Sequence, residues 1–338
     1  MHFDIEQIRA QFPSLHIPAE DGTLPVFLDN PAGTQVPKQV MDAVTDYYMH
    51  MNANSGGVFE TSQRTDAMVK AARERMAAFL NANRYEEIVF GPNMTSLSFA
   101  LSRAIGKTLS PGDEIVLTRM DHDANVTPWR RIAEDYDLVV RWVDIHDEDC
   151  TLDMDTLEGA LTNRTRIVAT VHASNAVGTI NPIKQIAAMA HAAGAYYVVD
   201  AVQSAPHIAI DVQDIGCDFL LCSAYKFFGP HIGILWGRYD LLADLPAYKV
   251  RPAKDVPPHR WETGTASFET INGVAAALDY FAWIGDTFGA AGNVPTGGYR
   301  QQLVHGLDAI KSYENGLAAH LIEGLQALPG IVIKGITD

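Results

Sequence analysis

The segment Ser223-Ala224-Tyr225-Lys226-Phe227-Phe228-Gly229-Pro230-His231 sets a lysine among two phenylalanines and a glycine, directly after the apolar run Phe219-Leu220-Leu221-Cys222. At the end of a buried strand such an amine is partly stripped of water, which lowers its pKa and favours the neutral form. A neutral amine can form an imine with an aldehyde. The pattern fits equally a lysine whose stem lies along apolar surface while its ammonium reaches solvent. Upstream, Tyr196-Tyr197-Val198-Val199-Asp200 puts an acid at the carboxyl end of an apolar run. A carboxylate there is unfavourable unless a cation meets it, or unless it caps the following loop.

Lys226 and Asp200 together match the two fixed points that pyridoxal phosphate requires, a Schiff-base lysine and an acid that keeps the ring nitrogen protonated. A phosphate also needs a cradle. Gly91-Pro92-Asn93-Met94-Thr95-Ser96-Leu97 follows an apolar run and opens a helical pattern, so free N–H groups and the Thr95 and Ser96 hydroxyls gather where the helix dipole favours an anion. A plain helix cap would use the same residues. Gly106-Lys107-Thr108 is no Walker loop, because Leu101 stands where its first glycine belongs. His122, in Asp121-His122-Asp123-Ala124-Asn125, and Asn175, in His172-Ala173-Ser174-Asn175, each follow a strand-like run. An imidazole there can stack on a flat ring and relay protons, and an amide can donate to a phenolic oxygen.

The elements that must position these residues follow from periodicity. Short apolar runs at 87–90, 114–117, 138–142, 166–171, 196–200, 219–222 and 232–236 alternate, until the last pair, with helical segments. Near-continuous apolar strands mean a mostly parallel sheet covered on both faces, a three-layer α/β/α fold, with one antiparallel strand in the close-spaced pair. The spacing predicts helices over 35–51, 61–82, 271–285 and 300–327. In open sheets of this kind ligands bind at the carboxyl ends of the strands, where all four chemical loops fall.

Composition narrows the function. Lys plus Arg number 25 against 41 Asp plus Glu, a formal charge of −16, which excludes a general nucleic-acid binder. A 47% hydrophobic content supports a sizeable core. The longest apolar stretch, 275–284, is interrupted by Asp279 and falls far short of the roughly 20 residues that span a bilayer. The first residues lack the basic and apolar blocks of a secretory signal. Cys150, Cys217 and Cys222 form no disulfide framework and no Cys-x-x-Cys, so no metal site is expected and a cytoplasmic setting is. No Gly-x-Gly-x-x-Gly supports a nicotinamide dehydrogenase.

The ordered set Met94-Thr95, Asp121-His122-x-Ala124-Asn125, His172-x-Ser174-Asn175-x-x-Gly178, Asp200-Ala201-x-Gln203, Ser223-x-x-Lys226 and Glu262-x-Gly264-Thr265 resembles the class V aminotransferases of the pyridoxal phosphate fold type I, in their cysteine desulfurase-like branch. The resemblance runs from Phe27-Leu28-Asp29 to about Tyr280. It implies that Lys226 carries the cofactor, Asp200 pairs with the pyridine nitrogen and His122 stacks on the ring. It further implies that Gln203 and Asn175 bond the ring oxygen and that Met94, Thr95 and Ser223 hold the phosphate. Thr265 would reach the phosphate of a neighbouring subunit, hence a homodimer with shared active sites. The implied reaction takes an amino acid through an external aldimine to C–S bond cleavage, with a sulfur-acceptor protein as partner. Transamination, elimination, epimerisation or idle cofactor binding would use the same residues.

Departures from the family are specific. Tyr225 stands where typical desulfurases have histidine, and Asn54-Ser55-Gly56-Gly57 replaces a His-Arg loop. The family's catalytic cysteine and carboxylate-binding arginine lie in its C-terminal part; here Cys217 and Cys222 flank a strand, Cys150 lies in an acidic loop, and Arg251 and Arg260 read as surface charges near a Pro-rich stretch. Gly330-Ile331-Val332-Ile333-Lys334 reads as a strand opening a small C-terminal α/β domain, so the chain reads as a piece of a longer protein. The expected organisation is 1–25 as an N-terminal segment of the small domain, 26–285 as the large cofactor-binding domain and 286–338 as the start of the small one.

Overall fold

The computed structural model describes residues 3–289 and 298–337. Its seven strands are β1 (Ile88–Gly91), β2 (Glu114–Thr118), β3 (Val139–Val143), β4 (Thr165–Val171), β5 (Tyr196–Asp200), β6 (Phe219–Ser223) and β7 (Gly233–Gly237). They form one sheet in the order β1-β7-β6-β5-β4-β2-β3. β2, β3, β4, β5 and β6 run parallel, while β7 is antiparallel to both β6 and β1. The expected antiparallel strand is therefore the second of the close-spaced pair.

The helices are α1 (Ile5–Arg9), α2 (Lys38–His50), α3 (Glu60–Leu80), α4 (Met94–Gly106), α5 (Thr127–Asp135), α6 (Met154–Ala160), α7 (Ile183–Ala192), α8 (Val212–Ile215), α9 (Tyr239–Asp244), α10 (Phe268–Phe288) and α11 (Gly298–Gln326). The two-residue period of the strands sorts their side chains between two layers. On one face Ile115 and Leu117 of β2, Leu221 of β6 and Leu235 of β7 pack with Leu101 and Ile105 of α4 and Trp129 of α5. On the other, Val116, Leu220 and Trp236 meet Met76 of α3, Ile186 of α7 and Leu278 of α10. β2, β6 and β7 are buried throughout, and β4 and β5 except for Arg166 and Tyr196, whereas β3 at the edge leaves Val139 exposed.

Antiparallel pairing on both sides of β7 brings the carboxyl ends of β1 and β6 together: Gly91 and Ser223 both face Gly233. A β-carbon at Gly233 would lie 2.2 Å from the Asn93 carbonyl carbon and 2.5 Å from the Met94 nitrogen. Glycine is thus required there for the amino end of α4 to rest against the sheet.

One expectation fails. Residues 330–334 form no strand; after α11 the chain runs on irregularly with Val332 78% exposed. A strand needs a ladder partner for its backbone groups, and among the described residues none lies beside this segment. Lys334 is tethered instead through Nζ to the Asp147 carbonyl at 3.1 Å. No described helix is long and apolar enough to cross a membrane.

Candidate active site

β6 ends at Ser223, and the next three residues, Ala224–Lys226, wind into one 3-10 turn that drops Lys226 at the sheet's carboxyl edge, 7% exposed. The turn is pinned from both sides. Ala224 donates its N–H to the Ile232 carbonyl at 3.0 Å, and the Tyr225 carbonyl accepts from both the N–H and the hydroxyl of Thr34 at 3.1 Å. Lys226 Nζ donates to the Pro31 carbonyl and lies 4.8 Å from the centre of the Tyr225 ring. Burial pushes the Lys226 ammonium below its ordinary pKa, against the opposing pull of Asp29 and Asp200.

Asp200 closes β5, 3% exposed, and accepts the Val202 N–H at 2.9 Å. Its backbone is fixed by the strands on either side, since its carbonyl accepts from His172 N–H at 2.8 Å. Burial lifts the carboxyl to about 6, although the Val202 N–H and the charges of His122 and Lys226 pull the other way. His122 lies exposed on the loop after β2, where its Nδ1 accepts the Ala124 N–H at 3.1 Å, which leaves Nε2 as the outward nitrogen. Gln203 joins the cluster through Pro31, donating Nε2 to the same carbonyl that Lys226 uses, at 2.9 Å.

Met94 and Thr95 open α4 beside Ser223. Asn93 caps this helix by accepting the Ser96 N–H at 2.8 Å, and the Met94 and Thr95 N–H groups, as the first two of the helix, have no helical partner. The Met94 side chain points into the core, so its backbone is what it offers at this edge. Asn175 is exposed in the turn after β4, which Ser174 Oγ holds by accepting from Ala176 N–H at 3.3 Å. Thr265 is exposed on a loop across a cleft of about 350 Å³, whose other walls include Pro92, Ser96 and His231. That cleft does not reach Lys226 or Asp200.

Three contributors were not singled out from sequence. The Pro31 carbonyl gathers Lys226 and Gln203, and its signal is the turn-forming Asn30-Pro31-Ala32-Gly33. Arg73, 4% exposed on the packed face of α3, donates to both carboxylate oxygens of Glu262 at 2.8 and 2.7 Å; Glu262 also accepts the Phe90 N–H at 2.8 Å, clipping the Thr265 loop to β1. An arginine on an apolar helix face is the signal. His172, buried with an unpartnered Nδ1, is pushed down to about 4 by burial and so is neutral.

Cys150, Cys217 and Cys222 are all buried, and burial raises the Cys217 and Cys222 thiols far above their ordinary range. Arg251 is exposed as expected, but Arg260 is not the surface charge the sequence suggested: it is partly buried, donates to the Ala243 carbonyl and lies 3.5 Å from Asp255. Among the described residues no group of His, Cys, Asp and Glu is arranged to hold a metal ion. A buried amine of lowered pKa facing a carboxyl of raised pKa is an arrangement for binding an aldehyde that carries its own positive charge.

Comparison with known proteins gives the family. The aminotransferase class-V family pattern matches residues 26–291. A probable cysteine desulfurase of Streptomyces coelicolor is 33% identical over 99% of this chain and 79% of its own length. A cysteine desulfurase of Pectobacterium carotovorum is 34% identical, over 99% of this chain and 80% of its own. The apo structure of the cysteine desulfurase of Thermococcus onnurineus superposes with a TM-score of 0.82 at 28% identity, covering 96% of this chain and 77% of that one.

Proposed function

From the premise that this chain belongs to the aminotransferase class-V family, we propose that it is a pyridoxal 5′-phosphate-dependent enzyme of cysteine desulfurase type, acting on a small amino acid. The observation that carries the reading is the pairing of Lys226 with Asp200 at one sheet edge, both buried and both displaced in pKa toward their neutral forms. The residues fit the cofactor on their own evidence. Asp200 has an acceptor position to spare and forms no ion pair among the described residues, so a ring-nitrogen cation supplies what burial withholds.

When bound, pyridoxal phosphate supplies an electron sink for the bond broken at the amino acid. Lys226 would hold it covalently, and its amine would take and return the proton at the substrate α-carbon. Asp200 would keep the ring nitrogen protonated, and His122 would lie against the ring. Gln203 and Asn175 donate to the ring oxygen. Ser223, Thr95 and the Met94 and Thr95 N–H groups bind the phosphate. Thr265 completes the phosphate site of a second copy, which makes the working unit a homodimer. A cytoplasmic enzyme passing sulfur to an acceptor protein follows from this reading.

One observation favours a second reading. No thiol of Cys150, Cys217 or Cys222 is exposed to take sulfur from a substrate, so a lyase, aminotransferase or epimerase on another amino acid uses the same residues equally well. The visible spectrum of the purified protein, with and without added cofactor, then with L-cysteine, L-alanine and other amino acids in turn, tests both. An absorbance band that L-cysteine shifts with formation of alanine, the sulfur appearing as sulfide once a thiol reductant is added, supports the first reading, a shift by another amino acid alone supports the second, and a protein that stays colourless with added cofactor overturns both.

A further inference from the structure

We propose that Asp121 is a positioning residue for the chemistry at Asp200: its buried carboxyl fixes the loop that carries His122 and stands as a second acid behind the carboxyl that faces the ring nitrogen. The inference rests on the function proposed above. Two side-chain donors converge on Asp121: Thr118, the last residue of β2, donates its hydroxyl, and Asn125 donates Nδ2 at 2.7 Å. Asn125 is itself fully buried and accepts from Trp129 Nε1 of α5 at 3.4 Å, while Thr118 Oγ1 accepts the Met120 N–H at 3.1 Å. One carboxyl therefore ties strand end, turn and helix around His122.

The titratable groups that face Asp121 are Asp200 and Tyr197, both on β5, with His122 next to it in the chain; Thr118 and Asn125 are neutral. Burial, aided by the Asp200 charge, lifts Asp121 to about 7. Two carboxylates at one dry edge do not ionise together readily, so Asp121 keeps its proton while Asp200 is charged and unpaired. Its charge then appears near neutral pH and reinforces the hold of Asp200 on a cation.

The test is equilibrium binding of pyridoxal phosphate to cofactor-stripped protein between pH 6 and 9, compared between wild type and Asp121→Asn. The amide keeps the size and neutral hydrogen bonding of the protonated acid. The two proteins should bind alike at pH 6 and diverge above pH 7, wild type becoming about tenfold tighter by pH 8.5, as a coupling of one pK unit requires. Thr118→Val removes a donor to the ionised form and should move the divergence to higher pH. Binding curves for wild type and Asp121→Asn that differ by the same factor at every pH would show a merely structural residue and overturn the proposal. Wild type that binds no cofactor at any pH would instead overturn the function on which it rests.

Discussion

Arg73, buried, and Glu262, mostly so, form a matched pair, with the guanidinium on both carboxylate oxygens, a backbone N–H on the same carboxylate, and the Arg73 group stacked 5.0 Å from the Phe90 ring. Across the sheet, Asp200 and Lys226 are just as buried, yet Asp200 takes one N–H and Lys226 reaches a carbonyl. The charges of the first pair meet each other directly, whereas burial pushes both members of the second toward neutrality. Buried charges that serve architecture are paired and hydrogen-bonded, because an uncompensated one destabilises the fold. Buried charges left short of partners mark a place where something else completes them. The two clusters share one sheet edge, the satisfied one anchoring the Thr265 loop and the other carrying the lysine and acid of the proposed cofactor site.

The contrast breaks most sharply at Lys226. Lys226→Ala should abolish any borohydride-reducible cofactor adduct and reduce turnover to background, while melting within about a degree of wild type, because the residue removed satisfies no buried partner that the fold depends on. Retention of a reducible adduct in the variant would remove Lys226 from the chemistry. A large fall in melting temperature would instead place it with the architectural charges.

Glu262→Leu should do the reverse. It leaves Arg73 buried without a counter-charge and Phe90 without its acceptor, and breaking a buried pair in this way costs about 3–5 kcal/mol. Urea denaturation of wild type and variant measures it. A loss below about 1 kcal/mol would show that the pair is not the anchor its geometry describes.

The ease with which sequence reveals each cluster also differs. All seven strands were legible from apolar runs, because a parallel strand covered on both faces has almost no choice of composition. Lys226, Asp200 and His122 were legible from their place at the ends of those runs. Arg73–Glu262 was not, since its partners are far apart in the chain and only α3 packing against β1 brings them together. The supposed strand at 330–334 erred for the converse reason: Ile331, Val332 and Ile333 have the composition of a strand, but composition does not supply a neighbouring ladder.

The finest discrimination lies in the pH dependence of stability without cofactor. Asp200 holds its proton in the folded state up to about pH 6, against an ordinary value of 3.8. Between those values the folded protein binds more protons at this site than the unfolded chain, so stability falls as pH rises. The contribution is fully present below pH 4 and is lost as pH passes 6, on the order of 3 kcal/mol in all. Asp121 has the same sign and extends the decline toward pH 7, so the slope of wild type alone does not isolate Asp200. The difference between wild type and Asp200→Asn does. The amide keeps an acceptor for the Val202 N–H and has no proton to lose, so stripped Asp200→Asn should gain on wild type from pH 4 to 6, gain a little more up to about pH 7 because Asp121 no longer faces the Asp200 charge, and hold a constant lead above. Calorimetric melts of both stripped proteins at matched ionic strength supply the comparison. A lead that fails to grow with pH would mean that Asp200 already has its cation within the protein, and would place it beside Glu262 rather than Lys226.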